Sequence, residues 1–219
     1  MRSVAATFVA LLLFVTACSG DGDDDAIRGS GTLIIETRTV GGFDQISLEG
    51  FGEVIVEVGP AESLTIKAED NVMPYLVTET DGRTLEIKVK DGTSFRGIEG
   101  PVYTITLPDL VTVSISGSGN VTAIGVDTDS FEVSIAGSGN VDFAGSVDAL
   151  TVSIAGSGDF RGEELVAAEA AVSIGGSGSV LVNATDNLDV TIGGSGDVTY
   201  LGSPTLTMSI GGSGTVKAG

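Results

Sequence analysis

The second half of the chain repeats a short alternation of apolar and hydroxyl-bearing residues. Val, then Ser or Thr, then Ile precede a Gly-Ser-Gly triplet, and another apolar residue comes two positions after it. An alternation with a period of two is typical of a β-strand with one buried face, so the Val and Ile side chains are predicted to point inward. The triplets recur every 18–20 residues, at 117–119, 137–139, 156–158, 176–178, 194–196 and 212–214.

The apolar residues at equivalent positions of successive repeats form columns, and these columns can be buried only if the repeats stack. One short strand cannot cover its own apolar face, whereas similar coils stacked on one another form a continuous core. The sequence therefore predicts an all-β fold, a right-handed parallel β-helix or solenoid with 18–20-residue coils. Each triplet is predicted to be a corner, where glycine permits positive φ and lets neighbouring backbones approach. A weaker copy runs from Ile46 to Val54.

The part of the chain that precedes the repeats is less regular. Residues 32–110 contain a clean alternation at 85–90 after an Asp81-Gly82 turn, and one short helical turn is predicted within 70–76. We expect this part to start the stack and shield its first coil, within a single domain that spans 32–219 and has its repeats at 111–219. Beyond Val216 the last coil is predicted to present a bare edge, through which the chain can pair with another copy.

The N-terminal residues predict export and lipid attachment. An apolar run at 4–15 follows Arg2, and it is too short to span a bilayer but long enough for a signal peptide. Val15 to Cys18 resembles a lipobox, so residues 1–17 are predicted to be a lipoprotein signal peptide and Cys18 the lipid attachment site. Residues 18–31 are read as an acidic Gly/Asp tether. The expected location is the cell envelope, anchored to a membrane by lipid, and the outer membrane if the host has one, because Ser19 resembles its sorting pattern.

Composition narrows the chemistry further. The chain has 10 basic and 30 acidic residues, a net charge of −20, which disfavours nucleic-acid binding. It has no His, and its one Cys is the predicted lipid site. An imidazole base, an ordinary zinc or copper site and a thiol nucleophile are therefore not expected. No catalytic residue, metal or cofactor is predicted.

One polar column offers candidate ligand-binding residues. Parallel coils would present the residue after each triplet as a lattice on one edge, able to contact a surface glycan or an envelope protein. The same column leaves an enzymatic alternative open, since two of its carboxylates, two coils apart, would be about 10 Å from each other, near the range of an inverting glycosidase pair. The candidates are Asn120, Asn140, Asp159 and Asp197, and the column also contains Ser179 and Thr215.

Two other functions fit less well. Outward Thr and Ser pairs imitate an ice-binding array, but Glu132, Ala171 and Asp189 interrupt it. The run from Gly193 to Asp197 begins like the calcium-binding nonapeptide repeat, yet the Asp comes one residue early, and the rest of each coil lacks a second copy.

The combination of motifs resembles the head GIN domain family. The resemblance rests on Phe43-Asp44-Gln45-Ile46, the alternation around Asp81-Gly82 and the repeated Ser-Ile-x-Gly-Ser-Gly-Asn/Asp-Val, and it covers about residues 40–200. It implies a β-helical fold and a surface role, with no catalytic residue to carry over. We therefore expect a non-enzymatic surface recognition or adhesion module of the cell envelope. The alternatives are an envelope scaffold that assembles through its open end and a polysaccharide-active β-helix enzyme.

Overall fold

The computed structural model describes residues 26–219 and is all-β in that range, with no α-helix and one 3-10 turn at Met73–Tyr75. The strands are β1 (Ile27–Arg28), β2 (Leu33–Arg38), β3 (Gln45–Leu48), β4 (Glu53–Val58), β5 (Ser63–Glu69), β6 (Leu76–Asp81), β7 (Thr84–Val89), β8 (Phe95–Arg96), β9 (Val102–Leu107), β10 (Thr112–Ile115), β11 (Asn120–Ile135), β12 (Val141–Ile154), β13 (Phe160–Ile174), β14 (Val180–Ile192), β15 (Val198–Leu201), β16 (Thr205–Ile210) and β17 (Val216–Ala218).

The repeats stack in parallel and in register, which confirms the predicted solenoid. Val133 pairs with Val113 on one side and with Val152 on the other, and the Ser and Ile columns follow the same register. The Val and Ile columns are buried from Val113 to Ile192, whereas the Ser column faces outward. A side-chain period of two makes this register specific, because a slip by one residue would turn every apolar side chain to the solvent.

The coils form two walls that face each other across one core. We call one the serine wall; it contains β6, β7, β3, β10, the C-terminal halves of β11–β14, and β16. The opposite wall contains β2, β5, β9, β4, the N-terminal halves of β11–β14, β15 and β17. The Phe131 ring of the serine wall packs edge-on against Phe143 of the opposite wall at 5.0 Å, and Phe160 lies 6.0 Å from Phe143. Such aromatic contacts add to the stability that burial provides.

The weak early repeat belongs to the same stack. Ile46 pairs with Val113 and Val54 pairs with Val121, so β3 and β4 form the coil directly beneath the first Gly-Ser-Gly coil. The chain between them, residues 59–111, is an insertion that builds the end of the stack beneath this coil. Sequence similarity between these coils therefore marks spatial neighbours despite their separation along the chain.

The insertion closes the N-terminal end of the stack, as predicted. Strands β7 and β9 extend the two walls in parallel, and β6 and β5 then pair with them antiparallel. The 3-10 turn at Met73–Tyr75 confirms the predicted helical turn. Residues in and beside this turn cover the end of the core, since Val72, Met73 and Leu76 are all buried.

The outermost hairpin carries a bridged pair of carboxylates. Glu79 on β6 lies directly opposite Glu86 on β7. The Lys88 ammonium reaches Glu86 at 2.8 Å and Glu79 at 3.3 Å. The hydrogen bonds to Glu86 and then Glu79 raise the pKa of Lys88 to about 12. The cation thus offsets a repulsion that two facing carboxylates would otherwise introduce.

The Gly-Ser-Gly corners depend on close approach between backbones. The N–H of each central Ser donates to the carbonyl of the first Gly one coil below; Ser157 to Gly137 at 3.0 Å is one example. A Cβ on Gly156 would fall well inside van der Waals contact of that same Gly137 oxygen. Of the two properties of glycine expected to matter at these corners, positive φ and close approach, only close approach operates, since no glycine of the Gly-Ser-Gly triplets has positive φ. Their role is to leave room for the coil beneath.

A second corner absorbs the differences in coil length. The register shifts between paired strands lie at Ile124/Val126, Asp142/Gly145, Gly162/Val166 and Ala167/Glu169, all where the chain passes from the opposite wall to the serine wall. Pairing is uninterrupted from there to the end of each serine-wall strand. The repeat spacing therefore varies while both walls keep their columns.

The end of the predicted tether lies against the fold. Strand β1 pairs in parallel with β8, the Gly31 N–H donates to the buried Glu69 carboxylate at 3.1 Å, and the Asn71 amide donates to the Arg28 carbonyl at 2.6 Å. The folded chain thus already includes Ile27, ahead of the boundary expected at position 32. The physical reason is backbone hydrogen bonding, which needs no apolar side chain.

The last coil differs from the others in exposure. Met208 and Ile210 continue the columns of Val190 and Ile192, which are completely buried. Met208 is nevertheless 57% exposed and Ile210 42% exposed. The side chains point inward, but no described strand lies beyond them.

Adjacent glycines of one coil provide a direct test of the corner. Gly194→Ala is expected to lower the free energy of unfolding by about 1–3 kcal/mol, because its Cβ would overlap the Gly176 carbonyl oxygen. Gly193→Ala is the matched control, since its Cβ would meet only Ile174 O at 3.9 Å and Ala already occupies this position at Ala136. Urea denaturation of both variants measures the difference; equal stabilities would contradict the proposed role.

Candidate functional site

The predicted ligand-binding column forms a ladder inside the fold. The side-chain oxygen of Asn120 accepts the backbone N–H of Asn140 at 3.0 Å, and Asn140 accepts that of Asp159 at 3.0 Å. Asp159 accepts the N–H of Ser179 at 2.9 Å. Each side chain thus satisfies a backbone donor of the next coil, which is a structural role.

The ladder changes at Ser179. Among the described residues, Ser179 makes no such bond to Asp197, because a serine hydroxyl does not reach as far as an Asn or Asp oxygen. The ladder resumes with Asp197, whose Oδ1 accepts from the Thr215 N–H at 2.9 Å and from its hydroxyl at 2.6 Å. The column is therefore a set of interlocking backbone contacts with one gap.

These contacts make Asp159 and Asp197 less suitable as catalytic carboxylates. An oxygen of each already accepts a backbone N–H. The hydrogen bonds from the Thr215 hydroxyl and N–H hold the pKa of Asp197 below its usual value. A general acid needs the opposite shift, so that it keeps its proton near neutral pH.

A larger feature lies on the outer face of the serine wall. A trough of about 510 Å³ crosses four coils, from β12 to β16. Its floor follows the backbone at Leu150, Ala170 and Leu188. Outward side chains two positions apart form its sides, about 7 Å from each other, and the four strands span about 14 Å. One side has Ala149, Glu169, Asn187 and Thr205, and the other has Thr151, Ala171, Asp189 and Thr207.

The trough carries two carboxylates and an amide among smaller side chains. The Asn187 amide donates to the Glu169 carboxylate at 3.3 Å, which links two coils along one side. Asp189 stands on the other side beside the small Ala171. A second groove of about 270 Å³ lies between Thr151 and Ser153 and their neighbours in the next coils, so Ala171 and Asp189 border both. The surface offers hydroxyl, amide and carboxylate groups to an extended ligand.

The candidate residues from the sequence belong to a different column from those that border this trough. In the sequence, Ala171 and Asp189 stand out only as interruptions of a hydroxyl array, yet both residues line the trough. The available signal was the irregularity itself: a small residue and an acid replace Thr on neighbouring coils. The sequence does not show that the backbone between these two columns forms the floor of a trough.

A smaller apolar hollow lies at the corner of the early repeat. Phe51 replaces the central Ser of the triplet and packs edge-on against Phe95, with ring centres 5.6 Å apart. Tyr75 contacts Phe95 from another side at 6.1 Å. The hollow has a volume of about 360 Å³ and is also lined by Val89 and Ile98. These aromatic contacts attach the segment around β8 to the stack.

The predicted lipid site Cys18 lies outside the described residues, as does the signal peptide. Within residues 26–219 no group of three or more Asp, Glu, Cys or His side chains is arranged to hold a metal ion. The described range contains no helix that is both long and apolar enough to cross a membrane.

The ladder can be tested by completing it. Ser179→Asn is expected to raise the free energy of unfolding by about 0.5–1.5 kcal/mol, because Asn can accept the Asp197 N–H as its counterparts do. Asp159→Ala should lower it by about the same amount, whereas Asp159→Asn keeps the acceptor and should change it little. Denaturation midpoints give the comparison. Loss of stability in Asp159→Asn equal to that in Asp159→Ala would show that charge, rather than the hydrogen bond, matters.

Solved structures share this architecture. A putative adhesin from Bacteroides fragilis is 26% identical, with a TM-score of 0.75, and the alignment covers 88% of this chain and 100% of that one. A putative adhesin from Parabacteroides merdae is 19% identical, with a TM-score of 0.57 and coverage of 89% and 99%. A putative lipid binding protein from Parabacteroides distasonis is 22% identical, with a TM-score of 0.55 and the same coverage. The last two show a common fold.

The sequence comparison gives the family. No curated protein matches this chain in sequence. Residues 42–204 match the family described as "Putative auto-transporter adhesin, head GIN domain". The match covers the early coil, the capping insertion and most of the Gly-Ser-Gly coils, and it indicates a cell-surface or envelope location. The family description names an adhesin. The chain belongs to the head GIN domain family.

Proposed function

We propose that this protein is a non-enzymatic adhesion module of the cell envelope that is held to a membrane by a lipid on Cys18. The observation that carries the adhesive role is the trough on the serine wall, a long and open surface with hydroxyl, amide and carboxylate groups along its sides. Binding sites for small substrates are more enclosed and more apolar. An open trough suits a polymer that lies along it.

The chemistry of the trough narrows the ligand to a neutral or amino-sugar-containing surface polysaccharide. Glu169 and Asp189 stand on opposite sides, in a chain with a net charge of −20. A uronic-acid polymer would be repelled, while hydroxyl and ammonium groups can donate to the carboxylates and to Asn187. No aromatic side chain lines the trough, so we expect binding by many hydrogen bonds and modest affinity at each site.

Filling the trough tests this function. Ala171→Tyr is expected to reduce retention on immobilised neutral and amino-sugar polysaccharides by on the order of tenfold or more. The tyrosine ring would block contacts between the ligand and the trough, and a loss of about 1.4 kcal/mol of binding free energy weakens affinity tenfold. Thr122→Tyr, on the outer face of the opposite wall, is the control and should bind like the original chain. A uronic-acid polymer should be retained by none of the three. Equal retention of the Ala171→Tyr and Thr122→Tyr variants would exclude the trough as the binding surface.

The anchor is tested separately in the exporting host. Wild-type protein should incorporate a labelled fatty acid and partition into detergent, because acyl chains contribute about 0.8 kcal/mol per buried methylene. Cys18→Ser should lose both properties, since Cys18 is the only cysteine of the chain. Ser19→Ala should keep them. Fatty-acid labelling that persists in Cys18→Ser would rule out this attachment site.

A further inference from the structure

The outer edge of the last coil has the properties of a docking surface. Strands β16 and β17 each pair with one described strand, so their outer backbone groups face away from the stack. Met208 and Ile210 are exposed although they lie in columns that are completely buried one coil earlier. An unpaired edge with apolar side chains is the feature through which sheets add further strands.

Charge favours this edge for contact with an equally acidic molecule. Residues 198–219 contain no Asp or Glu, which makes them the longest acid-free stretch of a chain that has 30 acidic residues. Their one charged side chain is Lys217. Two copies of a protein with a net charge of −20 repel each other least where carboxylates are absent.

The opposite end of the stack is a poorer partner for this edge. Val72, Met73 and Leu76 are buried there and close the core. Strand β2 does expose Leu33, Ile34 and Ile35, but the end strand of the other wall, β6, carries Glu79 and Asp81. A second copy stacked head to tail would place its open columns against a closed core and against carboxylates.

We infer that the partner of the open edge is a second copy of this chain, docked tail to tail. A two-fold axis perpendicular to the stack places β16 beside β16 of the second copy, antiparallel, and β17 beside β17. The columns that end at Met208 and Ile210 then continue into those of the other copy. Such an isologous contact buries the same surface on both copies and closes at two.

In such a dimer, the partner in adhesion is a second copy of the same chain, and this inference rests on the proposed adhesive function. The N-terminal strands β1 and β2 lie in the capped region, so the open edge points away from the predicted anchor. The opposite wall contains ten strands, about 43 Å from first to last, and two copies would reach about 90 Å. A tail-to-tail dimer therefore joins two separate membranes, each of which holds one copy.

Sedimentation equilibrium of residues 19–219 tests the docking itself. This segment keeps every described residue and the whole core. We expect a monomer–dimer equilibrium over a roughly hundredfold range of concentration. Met208→Glu should weaken it by on the order of tenfold or more, since it buries a charge at the contact. Ser134→Glu, which adds the same charge on the outward face of β11, away from the contact, should not. A monomer throughout, higher oligomers, or equal dimers of Met208→Glu and wild type would each overturn the proposal.

A vesicle experiment tests the arrangement between membranes. Residues 18–219 are coupled through Cys18, the only thiol, to phosphatidylcholine vesicles that contain a maleimide lipid. Wild type and Ser134→Glu should cluster the vesicles, measured by light scattering, and Met208→Glu should not. Dimers without clustering would refute the contact between membranes. Ala171→Tyr should dimerise normally, so a failure of the trough and a failure of the open edge give different results.

Discussion

The fold depends on one contact, the hydrogen bond from a corner serine to a glycine carbonyl of the coil below. It brings the two backbones so close that no side chain fits on the first glycine, as at Gly156 above Gly137. This contact repeats at every triplet and sets the distance between coils at that corner. The inward columns and the outward trough both inherit their regular spacing from it.

Regularity on one side of the coil permits irregularity on the other. Register shifts are confined to the second corner, so extra residues there leave the walls aligned. A binding surface can then arise when a few residues of an aligned wall differ from the repeat pattern. Ala171 and Asp189 need only replace a threonine to create a trough, because the coils around them already fix its direction and width.

The sequence predicted the features that follow from periodicity. The fold class, the inward Val and Ile columns and the weak coil at Ile46 to Val54 were visible as alternation and recurrence. Sequence did not predict that Asn140 and Asp159 would be occupied by backbone N–H groups, because an exposed ladder and an exposed binding column have the same spacing. Nor could the sequence separate positive φ from close backbone approach as the reason for the corner glycines, since both requirements are met by the same residue type.

The bridged pair Glu79 and Glu86 shows how such an acidic solenoid tolerates its charge. Stacking brings residues of one column about 4.8 Å apart, so identical acids on successive coils would repel along the whole rod. Among the paired positions described, this is the one place where two carboxylates are directly opposite, and there Lys88 joins them. Elsewhere an acid is followed by a neutral or basic residue, as Asp142 is by Arg161. The spacing of acids along the chain, rather than their number, thus sets how much negative charge a stack of this kind can carry.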